Sequence, residues 1–254
     1  IDAKIAPSDG ATIDGHLTIT SGLGDDSLQI GADGVGSFSL GGLAVQPGSG
    51  NLSVRMLGDA HDIAGDVLIT GPEGGTLDFL VAGTTYHSFF LKLNVSPLRM
   101  SSSNIAFNSS ASVSIPGGVV ITGGGGDDIV AFGDGSLGDI TLGPVTIVSG
   151  PGSSGVVFGG ANHLIQGDFR VSAGATTGDH LLSATGNTFV VEGKLIANWG
   201  RASNTIVALT SSDSVTIEGQ VSITNGLGDD LAIFGTTTTD VLVNNGVVIS
   251  NGPG

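Results

Sequence analysis

The feature that most restricts this chain is a short stretch that returns at a fixed distance. Ser21-Gly22-Leu23-Gly24-Asp25-Asp26 recurs as Gly123-Gly124-Gly125-Gly126-Asp127-Asp128 and again as Asn225-Gly226-Leu227-Gly228-Asp229-Asp230. From Asp25 to Asp127 is 102 residues, and from Asp127 to Asp229 is 102 again. Each copy follows a short apolar strand pattern (Leu17–Thr20, Val119–Thr122, Val221–Thr224) and precedes another. A long fixed period marks a repeat architecture, in which one supersecondary unit stacks on its neighbours.

A smaller period lies inside the large one. One strand type begins at Leu17, Leu43, Val67, Val95, Val119, Val145, Phe169, Leu195, Val221 and Val247, in steps of 24 to 28 residues. Each small unit predicts three strands. In the first they are Leu17–Thr20, Leu28–Ile30 and Phe38–Leu40, followed by a Gly41-Gly42 turn. Sustained helical periodicity is absent, whereas short alternating runs bounded by Gly, Asn, Asp and Ser abound. Three strands in about 25 residues predict one coil of a three-sided parallel β-helix, right-handed by the crossover rule. Nine to ten coils are expected. Alternate residues such as Leu17 and Ile19 point inward, as do Phe38, Phe107, Phe132, Phe158 and Phe234.

The large period extends to detail. His61 matches His163, Ser109–Ile115 matches Ser211–Ile217, Lys92 matches Lys194 and Arg99 matches Arg201. The expected organisation is a single solenoid over 1–254, with four-coil blocks at 16–117 and 118–219 and a partial third at 220–254. The chain has no initiator Met and opens inside a coil, which reads as a segment of a longer protein. Uncapped solenoid ends predict head-to-tail self-association.

Charge narrows the partners. There are 23 acids against 7 bases, a net charge of -16. Nucleic acid and anionic membrane surfaces both need a basic footprint, so both are disfavoured, while cations are favoured. No apolar run approaches the ~18 residues of a membrane span. Without cysteine there is neither disulfide nor thiolate chemistry.

The Gly-x-Gly-Asp-Asp corners carry two readings. Carboxylates and turn carbonyls suit Ca²⁺, with Asp25, Asp26, Asp127, Asp128, Asp229 and Asp230 as the ligand candidates. Gly123 to Ala131 resembles the nonapeptide of RTX calcium-binding repeats, G-G-x-G-x-D-x-U-x, which implies Ca²⁺ at these positions. In RTX proteins such nonapeptides stack directly and share ions. Here the copies are four coils apart, roughly 19 Å, and the next corner, Pro47-Gly48-Ser49-Gly50-Asn51, lacks a carboxylate. The other reading is structural: Gly supplies the turn conformation and Asp its side-chain bonds.

Catalysis has less support. No histidine stands in a metal-ligand spacing, and neither a G-x-S-x-G elbow nor a P-loop occurs. The fold resembles that of β-helical polysaccharide lyases and glycosidases, whose sites use clustered acids with a base. The R-x-K element of polygalacturonase-like sites is missing. An acid pair appearing three times at one position is unlike a unique catalytic centre. Thr236-Thr237-Thr238-Thr239 does not recur in successive coils, so no flat threonine array for ice is implied. Pro97 predicts an irregular coil at Val95–Met100. The aromatic-rich Thr84–Leu91 stretch is the best placed to protrude.

In architecture and composition the whole chain is similar to bacterial secreted and cell-surface β-solenoids, including autotransporter passengers. That resemblance implies a non-catalytic structural or adhesive segment, stiffened by Ca²⁺ if the corners bind it. Its partner would be a surface or matrix component or a polysaccharide. The alternative is a polysaccharide-binding or polysaccharide-cleaving β-helix.

Overall fold

A computed structural model describes residues 2–7, 9–32, 35–94, 102–133, 138–174 and 178–252. The chain is an all-β parallel solenoid of about nine turns, with no helix among the described residues. Its strands build three faces. Face 1 runs from Asp2–Ile5 through Asp26–Ile30, Leu52–Leu57, Asp127–Phe132, Ser154–Phe158, His180–Ala184 and Thr205–Leu209 to Asp230–Phe234. Face 2 includes Asn162–Ile165, Thr188–Val191, Ser214–Ile217 and Asp240–Val243. Face 3 includes Gly118–Thr122, Val145–Ser149, Phe169–Ala173, Leu195–Asn198, Val221–Thr224 and Val247–Ser250. Every pairing between these strands is parallel and joins one coil to the next, as the repeat demands.

The two halves turn their corners differently. In the first, one strand often runs through a corner: Ser37–Gln46, Ala60–Thr70 and Thr76–Asn94 each serve two or three faces. The expected Gly41-Gly42 break is instead a register shift within one strand, between Leu40 and Leu43. Glycine fits because a Cβ on Gly41 would lie 2.5 Å from the Asp14 carbonyl oxygen of the coil before. In the second half, strands of four to six residues stop at Gly/Asn/Asp turns.

The inward column of face 3 holds Leu17, Leu43, Val67, Val119, Val145, Phe169, Leu195, Val221 and Val247 in register, as the sequence predicts. Its fourth coil differs. Leu91, not Val95, pairs with Val67 and Val119, so the long coil falls between Leu91 and Val119. Lys92 consequently lies on the outside of a strand, whereas Lys194 sits in a turn before Leu195. Their match is one of sequence and not of place. The Val95–Met100 irregularity and Arg99 lie outside the described residues.

The core is one apolar column along the axis. Phe107, Phe132 and Phe158 stack in register on face 1, with ring centroids 5.1 and 4.9 Å apart. The next residue in that column is Ala184. Its small side chain leaves room for Phe169 and Phe189, which meet the Phe158 ring edge-on from the other two faces. Burial of these rings adds to that of the many Leu, Ile and Val side chains of the same column.

Candidate functional site

The repeated motif forms the corner between faces 3 and 1. Its two aspartates start a face 1 strand, where successive side chains point to opposite sides. Asp25, Asp127 and Asp229 are exposed, and their followers point inward: Asp26 and Asp128 are buried and Asp230 is half-buried. The carboxylates of one pair therefore do not converge on a common point.

The outer aspartates reach to the next coil. Asp25 Oδ1 accepts the Asn51 N–H at 2.9 Å, and Asp127 Oδ1 accepts the Ser153 N–H at 2.9 Å. The ladder continues along the axis. Ser153 Oγ accepts the Asp179 N–H at 3.3 Å, Asp179 Oδ1 accepts from Asn204 Nδ2 at 2.8 Å, and Asn204 Oδ1 accepts the Asp229 N–H at 3.1 Å. Asp25, Asp127, Ser153 and Asn204 each satisfy a backbone amide of the next coil's turn, while Asp179 holds the Asn204 side chain in place.

The inner aspartates belong to a second, buried ladder. Asp128, only 3% exposed, accepts the Ser103 hydroxyl at 2.6 Å, the Gly124 N–H at 3.1 Å and the Gly150 N–H at 3.2 Å. Glycine makes this possible: a Cβ on Gly123 would stand 2.1 Å from Asp128 Oδ2, and one on Gly150 would stand 1.4 Å from the Gly124 carbonyl oxygen. In the first copy the residue replacing that glycine, Ser21, donates its own hydroxyl to Asp26. In the third, Asp230 accepts the Thr205 hydroxyl at 2.5 Å. Burial raises the Asp128 pKa, while its hydrogen bonds from Ser103, Gly124 and Gly150 pull the other way.

Ser103, Asp128, Ser154, His180, Thr205 and Asp230 occupy one inward register position in successive coils. Ser154 Oγ lies 2.8 Å from His180 Nδ1, and the His180 ring stacks on buried Trp199 at 5.2 Å. Burial lowers the His180 pKa against the attraction of Asp179. Of this column only Asp128 and Asp230 belong to the repeated motif. The signal for the rest is a polar residue every 25 or 26 positions from Ser103 on, at the start of each later face 1 strand.

The matched pair His61 and His163 are core residues. His61 and His163 are each 1% exposed on the inner side of face 2. The His163 nitrogens lie 2.8 Å from the Gly159 carbonyl oxygen and 3.2 Å from that of Thr188. Those contacts favour a charged ring, yet burial prevails and its pKa is lowered. Neither ring nitrogen of His61 has a hydrogen-bond partner among the described residues, and burial lowers its pKa to about 4. In the aromatic-rich stretch, Tyr86 packs in the core and Phe89 is 55% exposed.

Shallow open recesses flank all three motif copies. One is lined by Asp25, Asp26, Asn51 and Ser53, a second by Asp127, Asp128, Ile129 and Ser153, and a third by Asp179, Asn204, Ile206, Asp229 and Leu231. No group of three or more His, Cys, Asp or Glu side chains placed to hold one metal ion occurs among the described residues. No protein family matches the chain, and no curated protein and no solved structure matches it.

Proposed function

We propose that the chain is a non-catalytic structural and adhesive segment of a secreted or cell-surface protein, a rod of roughly 40–45 Å at about 4.8 Å per coil. The observation that carries this reading is the double ladder at the motif corner. Its polar side chains hydrogen-bond to the coil before or after them, which is what a stiff stack of coils requires. The acid pairs, split between the inside and the outside of the wall, serve as struts in this reading rather than as an acid/base pair or an ion cage.

The test is incubation with a panel of uronic-acid and neutral polysaccharides, assayed for new reducing ends and unsaturated sugar products. Retention of protein-coated beads on matrix and glycan surfaces is measured alongside. Retention without cleavage is the expected result. Cleavage that Asp127→Asn or Asp229→Asn abolishes would replace this proposal with the lyase or glycosidase reading.

A further inference from the structure

The outer side of face 1 changes character along the axis. In the first coils its outward residues are mostly polar: Ser27 and Gln29, Ser53 and Arg55, then Asp78 beside Leu80, in successive register. Asp78 there takes a hydrogen bond from Asn104 at 3.0 Å and lies 3.8 Å from Arg55. Farther along, the same column reads Ile129, Gly155, Leu181, Ile206 and Leu231. Ile129 is 51%, Ile206 40% and Leu231 49% exposed. The column beside it mixes small and apolar side chains, Ala131, Val157, Ser183, Ala208 and Ile233. The result is an apolar ridge next to a shelf. An exposed apolar strip of this kind, interrupted only at Gly155, on an acidic protein marks a contact surface.

Charge selects the partner. Two residues before the ridge, on the same outer side and along the motif corner, stand the exposed carboxylates of Asp127, Asp179 and Asp229. The one base in these corners, Arg201, is exposed and forms no ion pair among the described residues. A second copy of the chain would bring like carboxylate rows together, and an anionic lipid surface would meet the same repulsion. Spacing selects the shape. Ridge residues repeat at about 4.8 Å, close to the pitch of about 5.4 Å of an α-helix. The two drift apart by only about 2.4 Å over the five coils. We infer that the apolar strip from Ile129 to Leu231 docks a cationic amphipathic helix, lying along the axis with its apolar stripe on the shelf and its Lys or Arg side chains toward the corner acids.

This inference goes beyond the rod reading, which stands or falls on bead retention and polysaccharide cleavage whatever happens here. The probe is a fluorescein-labelled 18-residue Leu/Lys amphipathic peptide, with binding to the full chain followed by anisotropy. The expected result is saturable binding that weakens about tenfold in 300 mM salt. Ile206→Glu with Leu231→Glu is expected to weaken it at least tenfold, and Asp179→Asn with Asp229→Asn about threefold. Leu181→Ser, a milder outward change, gives an independent reading should the double glutamate variant misfold by CD. Ser53→Glu, on the polar part of the same face, leaves binding unchanged. Three results would overturn the inference: no saturable binding, equal binding by the strip variants, or equal binding of a Leu/Glu peptide. A dimer in sedimentation that Ile206→Glu dissociates would also overturn it and assign the strip to a second copy.

Discussion

The two four-coil blocks solve one problem in different ways. At the first inward position of face 1, the block from 16 to 117 places Leu52 and Leu77 between Asp26 and Ser103. The block from 118 to 219 places Asp128, Ser154, His180 and Thr205 there. Leu52 and Leu77 seal their two coils by apolar packing, whereas Asp128, Ser154, His180 and Thr205 seal theirs by hydrogen bonds. The polar version works because each donor has an acceptor in the same or an adjacent coil, since a half-satisfied buried network is worse than an apolar one. A repeat fold thus conserves register, and with it inward direction, while leaving the chemistry of the inward residue free.

The largest expected effect breaks the polar version at its centre. Asp128→Ala leaves the Ser103 hydroxyl and the Gly124 and Gly150 amides without their buried acceptor. The expected loss is roughly 3 kcal/mol of stability, measured by urea unfolding. Asp128→Asn keeps one oxygen but sets an NH₂ group against the Gly150 amide, and about half that loss is expected. Equal, negligible losses in both variants would mean that the polar ladder contributes nothing beyond filling space.

The next prediction compares His61 with His163, which share a place in the two blocks and differ in partners. His61→Phe removes unpaired ring nitrogens from a site already stacked on Phe38 at 5.9 Å. It is expected to be neutral or to stabilise by about 1 kcal/mol. His163→Phe takes the neutral ring's single N–H donor from the Gly159 or Thr188 carbonyl it bonds and is expected to cost about 1–2 kcal/mol. The sign with pH follows from the lowered pKa values. Above the ordinary histidine range both folded and unfolded rings are neutral, and His61 contributes no pH dependence. As pH falls through about 6.5 the unfolded ring takes a proton that the folded one refuses until about 4. Stability is therefore lost across that window, by up to roughly 3 kcal/mol from His61. His163 and His180 add losses of the same sign. The raised Asp128 pKa acts oppositely, since its folded form takes up a proton more readily than the unfolded one. Unfolding curves between pH 7 and 4 should flatten in His61→Phe, and an unchanged slope would sink this assignment.

The same comparison shows what a sequence of this type discloses. The repeat made the architecture legible, because Leu17, Leu43, Val67 and Val119 can stack only if their coils do. It did not fix the fourth coil. Leu91-Lys92-Leu93 alternates as well as Val95 and its neighbours, and alternation alone cannot choose between two apolar residues four positions apart. The expected Gly41-Gly42 turn failed for a related reason: glycine marks close backbone approach as readily as it marks a chain reversal. The aspartate corners were legible as turns. Their hydrogen-bond partners were not, because Ser103, Gly150 and Thr205 lie a whole coil away. The apolar strip outside face 1 was hidden by the core signal, since Ile129 and Val130 read as one hydrophobic run until the strand assigns them to opposite sides.

Calcium gives the smallest expected effect and the sharpest test of the corner. A bound ion needs several oxygens converging at about 2.3–2.6 Å. Asp127 Oδ1 and both Asp128 oxygens already accept hydrogen bonds, from Ser153 on the outside and from Ser103, Gly124 and Gly150 on the inside. Thermal unfolding in EDTA and in millimolar CaCl₂ is expected to agree within about 1 °C, with Mg²⁺ as control. Linkage makes the comparison decisive, because a site filled at a hundred times its Kd would stabilise the fold by about 2.7 kcal/mol, a shift of several degrees. A Ca²⁺-specific rise of that size, lost in Asp127→Asn and kept in Asp62→Asn, would make the outer aspartates ligands and their bonds to the next coil a resting state of the ion-free corner.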